Sequence, residues 1–132
     1  MVIFDSSILI DHLRTNCHAE RMAALDDLVR FSTVVLAELW RGATTQTEQA
    51  FLRSLERNYP LFTPTEKNWL ESGRLLAKIQ AERGYEPRKL RDLHFDVLIA
   101  LTARSCGAKL ITSNRGDFEL IRKYRDFDLE VW

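Results

Sequence analysis

The chain is poor in the features that would reveal its chemistry by composition. Among its 132 residues there are two cysteines, Cys17 and Cys106. Their spacing fits no zinc pattern, and they read as reduced thiols of a cytoplasmic protein rather than as a disulfide framework. Charge of one sign is not in excess either, with 19 Lys plus Arg against 19 Asp plus Glu. Net charge therefore points to no partner, and any affinity for nucleic acid must come from local patches. No apolar run approaches the roughly 20 residues of a membrane span. The N-terminus lacks the basic region, long apolar stretch and small-residue cleavage site of a secretory leader, so none is expected. No repeat, low-complexity tract or linker divides the chain, and residues 1–132 are expected to form a single domain.

What is present is a globular composition, 45% hydrophobic, with short strands between helical patterns. Val2–Asp5, Phe31–Val34, Tyr59–Phe62, Lys109–Thr112 and Asp128–Val131 read as strands. Met22, Leu25, Leu28 and Val29 recur at helical spacing. Trp69, Leu70, Gly73, Leu76 and Ala77 form a second helical stripe, with Thr65 placed to cap it and Glu66 in its first turn. Leu90, Leu93, Val97, Leu98 and Leu101 form a third, stopped by Gly107. The break at Arg83–Pro87 reads as a helix end and loop. Strands alternating with helices predict an α/β fold, a mostly parallel sheet of four to five short strands covered on both faces.

Ligands of such sheets bind beyond the carboxyl ends of the strands. That rule collects acids and hydroxyls here. Asp5 ends the first strand and also suits the N-cap of a helix beginning at Ser6. Glu38 lies within an apolar run, Val34 to Trp40, where a carboxylate is costly unless paired or metal-bound. A helix whose polar face carries Glu38 and Arg41 accounts for it equally well. Asp96 heads a nearly all-apolar stretch, with small Ala100 and Ala103 on its face. Asp92, one turn earlier, reads as a first-turn acid facing the helix dipole. Asp117 follows Thr112, Ser113 and Asn114, a stretch that alone reads as a turn. Brought to one sheet edge, Asp5, Glu38, Asp96 and Asp117 would repel one another unless a divalent cation neutralised them. Oxygen-only ligands suit Mg²⁺ or Mn²⁺, and such a site can activate water against a phosphodiester. No histidine reads as a general base: His12 and His18 are expected at the surface, and His94 is expected to point away from Asp96.

The ordered set Asp5-Ser6-Ser7-Ile8-Leu9-Ile10, Leu36-Ala37-Glu38-Leu39 with Arg41-Gly42, Asp96-Val97-Leu98-Ile99-Ala100 with Ala103, and Thr112-Ser113-Asn114 with Asp117-Phe118 resembles the PIN-domain ribonucleases. Within that family it resembles specifically the VapC-type toxins of bacterial and archaeal toxin–antitoxin pairs. Leu101-Thr102, where Ala-Thr is usual, is a slight departure. The resemblance implies a three-layer α/β/α fold and an Mg²⁺- or Mn²⁺-dependent endoribonuclease. It implies that Asp5, Glu38, Asp96 and Asp117 hold the metal and that Ser6, Thr112 and Asn114 support them. It implies a homodimer held inactive by a cognate VapB-type antitoxin.

RNA would still need cations around the acids. Arg115 and the cluster of Arg83, Arg88, Lys89 and Arg91 are expected to flank the groove, whereas Arg122 to Arg125 read as a solvated face. Two readings within the same fold compete: a housekeeping RNA-processing nuclease, and a catalytically silent binding module, which would lack one of the acids. A receiver domain and a phosphatase of the haloacid dehalogenase type fit poorly, since Asp5-Ser6-Ser7 is no D-x-D triplet and no Lys follows Thr112.

Overall fold

The computed structural model describes residues 1–132. Five strands form one parallel sheet: β1 (Val2–Phe4), β2 (Val29–Ser32), β3 (Leu61–Phe62), β4 (Lys109–Thr112) and β5 (Leu129–Val131). Their order is β3-β2-β1-β4-β5. Seven helices connect them: α1 (Ser6–Thr15), α2 (Ala19–Ala24), α3 (Thr33–Gly42), α4 (Gln46–Asn58), α5 (Glu66–Arg83), α6 (Pro87–Ser105) and α7 (Arg115–Tyr124).

The layering follows from burial along the central strands. Successive strand residues point to opposite faces. Val2, Ile3 and Phe4 are all buried, and so are Leu110, Ile111 and Thr112. Both faces are therefore covered, which makes three layers of the predicted α/β kind. Fully buried side chains such as Ile8, Ile79, Leu98, Phe118 and Ile121 fill the space between sheet and helices. Each contributes on the order of 1.5–3 kcal/mol.

Local chemistry sets several boundaries. Thr65 caps α5 by accepting from the Asn68 N–H, and the Asn68 side chain returns the bond to the Thr65 N–H, both at 3.1 Å. Such a cap is worth about 1 kcal/mol. Gly84 ends α5 at φ 63°, a left-handed conformation that suits glycine, and Pro87 opens α6. These agree with the expected break at 83–87.

Three expectations are corrected. The second strand is not Phe31–Val34 but Val29–Ser32, because the Ser32 hydroxyl accepts from the Val34 N–H at 3.1 Å and starts α3 at Thr33. Met22, Leu25, Leu28 and Val29 do not share a helix: α2 stops at Ala24, Leu28 is exposed and Val29 is in β2. The face of α5 turned inward carries Asn68, Ser72, Leu75 and Ile79. Trp69 and Leu70, read as part of its helical stripe, are 50% and 55% exposed.

Strand order explains where a ligand would sit. After β1 the chain builds β2 and β3 on one side, then returns to build β4 and β5 on the other. The connections diverge at β1, and such a point opens a crevice at the carboxyl edge.

Candidate active site

Asp5 leaves β1 at that crevice. Its backbone N–H still donates to Ile111 O of β4, at 2.9 Å, so the sheet holds it to its end. Its side chain caps α1 as expected, accepting from the Ser7 N–H. Though only 2% exposed, the carboxylate is well served. Ser7 Oγ donates to Oδ2 at 2.7 Å and Thr112 Oγ1 donates to Oδ2 at 2.9 Å. Each hydroxyl has one proton to give, and both are spent on Asp5. Each in turn accepts a backbone N–H: Ser7 from Ser113 at 3.1 Å, Thr112 from Asn114 at 2.9 Å. The corner between β1 and β4 is thus a closed network that orients one carboxylate.

The sequence places both Ser6 and Ser7 beside Asp5, but only Ser6 is in the expected set of supporting residues. The Ser6 hydroxyl lies at 3.4 Å from Asp5 Oδ1, a long contact, and Ser7 makes the short one. The available signal was the helix cap itself, which turns the second residue after the acid back towards it.

Glu38 and Asp96 face Asp5 across a cavity of about 660 Å³, lined also by Ser6, Arg41, Arg91 and Asn114. Their surroundings differ from those of Asp5. Glu38 Oε1 is buried without a hydrogen-bond partner. Burial, then the Asp5 charge, raise the Glu38 carboxyl to about 7, against a smaller opposing pull from Arg41. Asp96 is raised to about 8 by burial, then by the charges of Asp5, Asp117 and Glu38, with Lys89 opposing. Too little positive charge reaches these two acids to keep both ionised near neutral pH.

Asp117 belongs to the group electrically but does not line the cavity. The turn expected around it is the first turn of α7, which follows Asn114, whose side chain makes no capping bond to the helix backbone. Asn114 Nδ2 donates to Asp117 Oδ2 at 3.2 Å, and Lys89 Nζ donates to Oδ1 at 2.7 Å. The hydrogen bond to Asp117 raises the Lys89 ammonium pKa.

The basic residues expected around the groove separate. Arg91 lines the cavity. Lys89 is engaged with Asp117, Arg115 pairs with Glu119 at 3.0 Å on the exposed side of α7, and Arg88 is exposed. Arg41 lines the cavity as well, its guanidinium over the Phe95 ring at 5.5 Å. Asp92 is no first-turn acid, since α6 begins at Pro87; it lies on the cavity wall.

The histidines also depart from expectation. His18 is buried, at 8% exposure, and His12 is partly buried. His94 is among the residues lining the cavity, but its Nε2 lies 2.9 Å from Ser72 Oγ of α5. The Ser72 proton goes to Trp69 O at 2.6 Å, so Ser72 accepts from His94 Nε2–H. Burial lowers the His94 pKa.

The donor set is all oxygen, and the partnerless Glu38 Oε1 together with the elevated pair marks missing positive charge. By donor chemistry Asp5, Glu38 and Asp96 suit a hard divalent cation such as Mg²⁺ or Mn²⁺, although their carboxylate oxygens do not all converge within 4.8 Å of one another.

The chain has recognisable relatives by profile and by fold. The sequence profile of the PIN domain matches residues 2–124. No curated protein matches the chain significantly in sequence. Among solved structures, a DNA-bound VapBC from Salmonella typhimurium superposes with a TM-score of 0.74 at 21% identity, covering 100% of this chain and 99% of that one. VapBC-1 from nontypeable Haemophilus influenzae gives 0.74 at 24%, covering 100% and 98%. VapBC2 from Rickettsia felis, bound to a fragment of promoter DNA, gives 0.73 at 21%, covering 100% and 99%. At these identities the likeness is one of fold.

Proposed function

Because the chain belongs to the PIN domain family, we propose that it is a divalent-metal-dependent endoribonuclease, the VapC-type toxin of a type II toxin–antitoxin pair. The observation that carries this reading is the pairing of a pinned Asp5 with two under-neutralised acids, Glu38 and Asp96, across one cavity. A silent module of the same fold would have no use for so costly an arrangement. The likeness to VapBC structures supports the toxin reading over a housekeeping nuclease.

In this reading Asp5, Glu38 and Asp96 hold the metal, with Asp117 contributing charge from behind Lys89. A bound Mg²⁺ or Mn²⁺ supplies Lewis-acid stabilisation of a phosphoryl oxygen and makes water nucleophilic. The protein's own groups do the rest. Ser7 and Thr112 hold Asp5 in one orientation, so no reorganisation is needed when substrate arrives. Arg41 and Arg91 on the cavity wall draw the phosphodiester in against the acids. Arg88 and Arg115 lie farther out and meet flanking phosphates.

The partners follow from the same proposal. A VapB-type antitoxin holds the enzyme inactive in the cytoplasm. The chain forms a homodimer, for which exposed apolar side chains such as Trp69 and Leu70 of α5 are available. No helix is long and apolar enough to cross a membrane.

The test is cleavage of a structured RNA pool by purified protein in Mg²⁺, in Mn²⁺ and in EDTA, beside Asp96→Asn. Metal-dependent cutting by the wild type alone is the expected result. No cutting in either metal, or equal cutting by the variant, would remove the proposal.

A further inference from the structure

A second cluster of metal-ligating side chains lies outside the acidic cavity and has a different donor chemistry. Asp11 stands on α1, and the chain reverses just after that helix at Asn16, whose φ of 54° is left-handed. The Asn16 N–H closes on His12 O at 3.0 Å, and the Ala19 N–H closes on Asn16 O at 3.2 Å. This reversal carries Cys17 and His18 back over Asp11. The Asp11 carboxylate, the Cys17 thiol and the His18 ring each bring one ligand atom, all within 4.8 Å of one another.

Two of the three ligands are already oriented. The His18 ring is buried and packs at a 45° tilt against Trp132, centroids 5.5 Å apart, which restricts its orientation. Its Nε2 is 3.2 Å from Asp11 Oδ2. Ser113 Oγ donates to that same Oδ2 at 3.0 Å, the kind of outer hydrogen bond that orients a ligating carboxylate. Cys17 is exposed, so an ion reaches the cluster from solvent without opening the fold.

We propose that Asp11, Cys17 and His18 form a binding site for a borderline-soft divalent cation of the Zn²⁺ class, separate from the oxygen-only acids of the cavity. Thiolate, imidazole and carboxylate together suit Zn²⁺, whereas Mg²⁺ and Mn²⁺ prefer oxygen. Three protein ligands leave a fourth position to water, so the site is exchangeable rather than a closed structural one. Binding removes the Cys17 thiol proton and takes His18 neutral with a free lone pair on Nε2; the proton leaves to solvent. The spacing Asp-x₅-Cys-His matches no familiar zinc motif, and only the left-handed turn at Asn16 makes the three residues neighbours.

Co²⁺ titration of the full chain under reducing conditions tests this, because a thiolate bound to Co²⁺ gives a near-ultraviolet charge-transfer band that oxygen ligands do not. The expected result is a band that saturates at one Co²⁺ per chain and is displaced by Zn²⁺ but not by Mg²⁺. It is lost in Cys17→Ser, whose side chain is exposed and whose replacement leaves the fold intact. It is weakened in Asp11→Asn and kept in Cys106→Ser and in Asp96→Asn. Absence of the band in the wild type, its persistence in Cys17→Ser, or its loss in Cys106→Ser or Asp96→Asn would overturn the site.

Discussion

The two walls of the cavity treat their carboxylates in opposite ways. On the β1–β4 side, Asp5 is almost fully enclosed and receives two hydroxyl protons, and backbone N–H groups fix the donors in turn. On the α3–α6 side, Glu38 leaves a buried oxygen without a partner, and Asp96 is pushed to about 8 by burial and by its acidic neighbours. One wall is finished without a ligand, and the other is not. A buried acid left short of partners costs stability in the metal-free chain, so its retention points to a ligand that supplies the missing charge.

Removing an acid from the unfinished wall should have the largest effect. Asp96→Asn is expected to bring RNA cleavage down to the background of the EDTA control. The same change should stabilise the metal-free protein at pH 8 by at least about 1.4 kcal/mol, the worth of one pKa unit. Thermal melts without metal check this, and a lower melting temperature for the variant would mean that Asp96 is not under charge strain.

Attacking the finished wall should do the reverse. Thr112→Ala takes one donor from a buried carboxylate. It should destabilise the protein by about 1–3 kcal/mol. As a supporting hydrogen bond it should also cost about 10–100-fold in metal affinity. Denaturant unfolding beside Mn²⁺ binding measures both, and unchanged stability would show that Ser7 alone suffices for Asp5.

The acid of α7 could be read in the sequence only by analogy with its motif, and the reason is physical. Asp5 is legible from its place at the end of a core strand, although it also caps α1 and that role alone would account for it. Asp96 is legible because its neighbours from Val97 to Ala103 are nearly all apolar or small and, in the structure, all buried. Asp117 carries no such mark, since what holds it comes from elsewhere in the chain, Lys89 on α6. Ser7 could not be ranked above Ser6 from sequence, because its role depends on the helix turning it back on Asp5. The parallel sheet followed from alternation alone. The α5 face did not, because its inward side carries Asn68 and Ser72, satisfied by Ser105 and His94, while Trp69 and Leu70 lie outside.

The pH dependence separates the walls without mutation. Glu38 and Asp96 have folded-state pKa values raised to about 7 and about 8, above the ordinary carboxylate range. Between those values and about pH 4 the folded chain binds protons that the unfolded chain has released. Stability from these groups is therefore full at the acid end and is lost as pH rises through about 7 and then about 8. Metal-free melts from pH 5 to 9 should show that decline, and saturating Mn²⁺ should flatten it. A metal-free melting temperature that climbs over the same interval would contradict the assignment.

The smallest effect belongs to the periphery. Arg115 makes an exposed pair with Glu119 on its own helix. Arg115→Ala should change stability by no more than about 0.5 kcal/mol. If Arg115 meets a phosphate, the slope of log affinity against log salt for RNA should fall by about 1. An unchanged slope would take it out of the groove.

The most direct measurement is calorimetric titration of the wild-type chain with Mn²⁺ at pH 7, repeated in two buffers of different ionisation enthalpy, alongside Asp96→Asn. The account predicts binding with net proton release from the unfinished wall, and a large loss of both affinity and proton release in the variant. Equal binding by the variant, or binding with no proton exchange, would show that Glu38 and Asp96 do not await a cation.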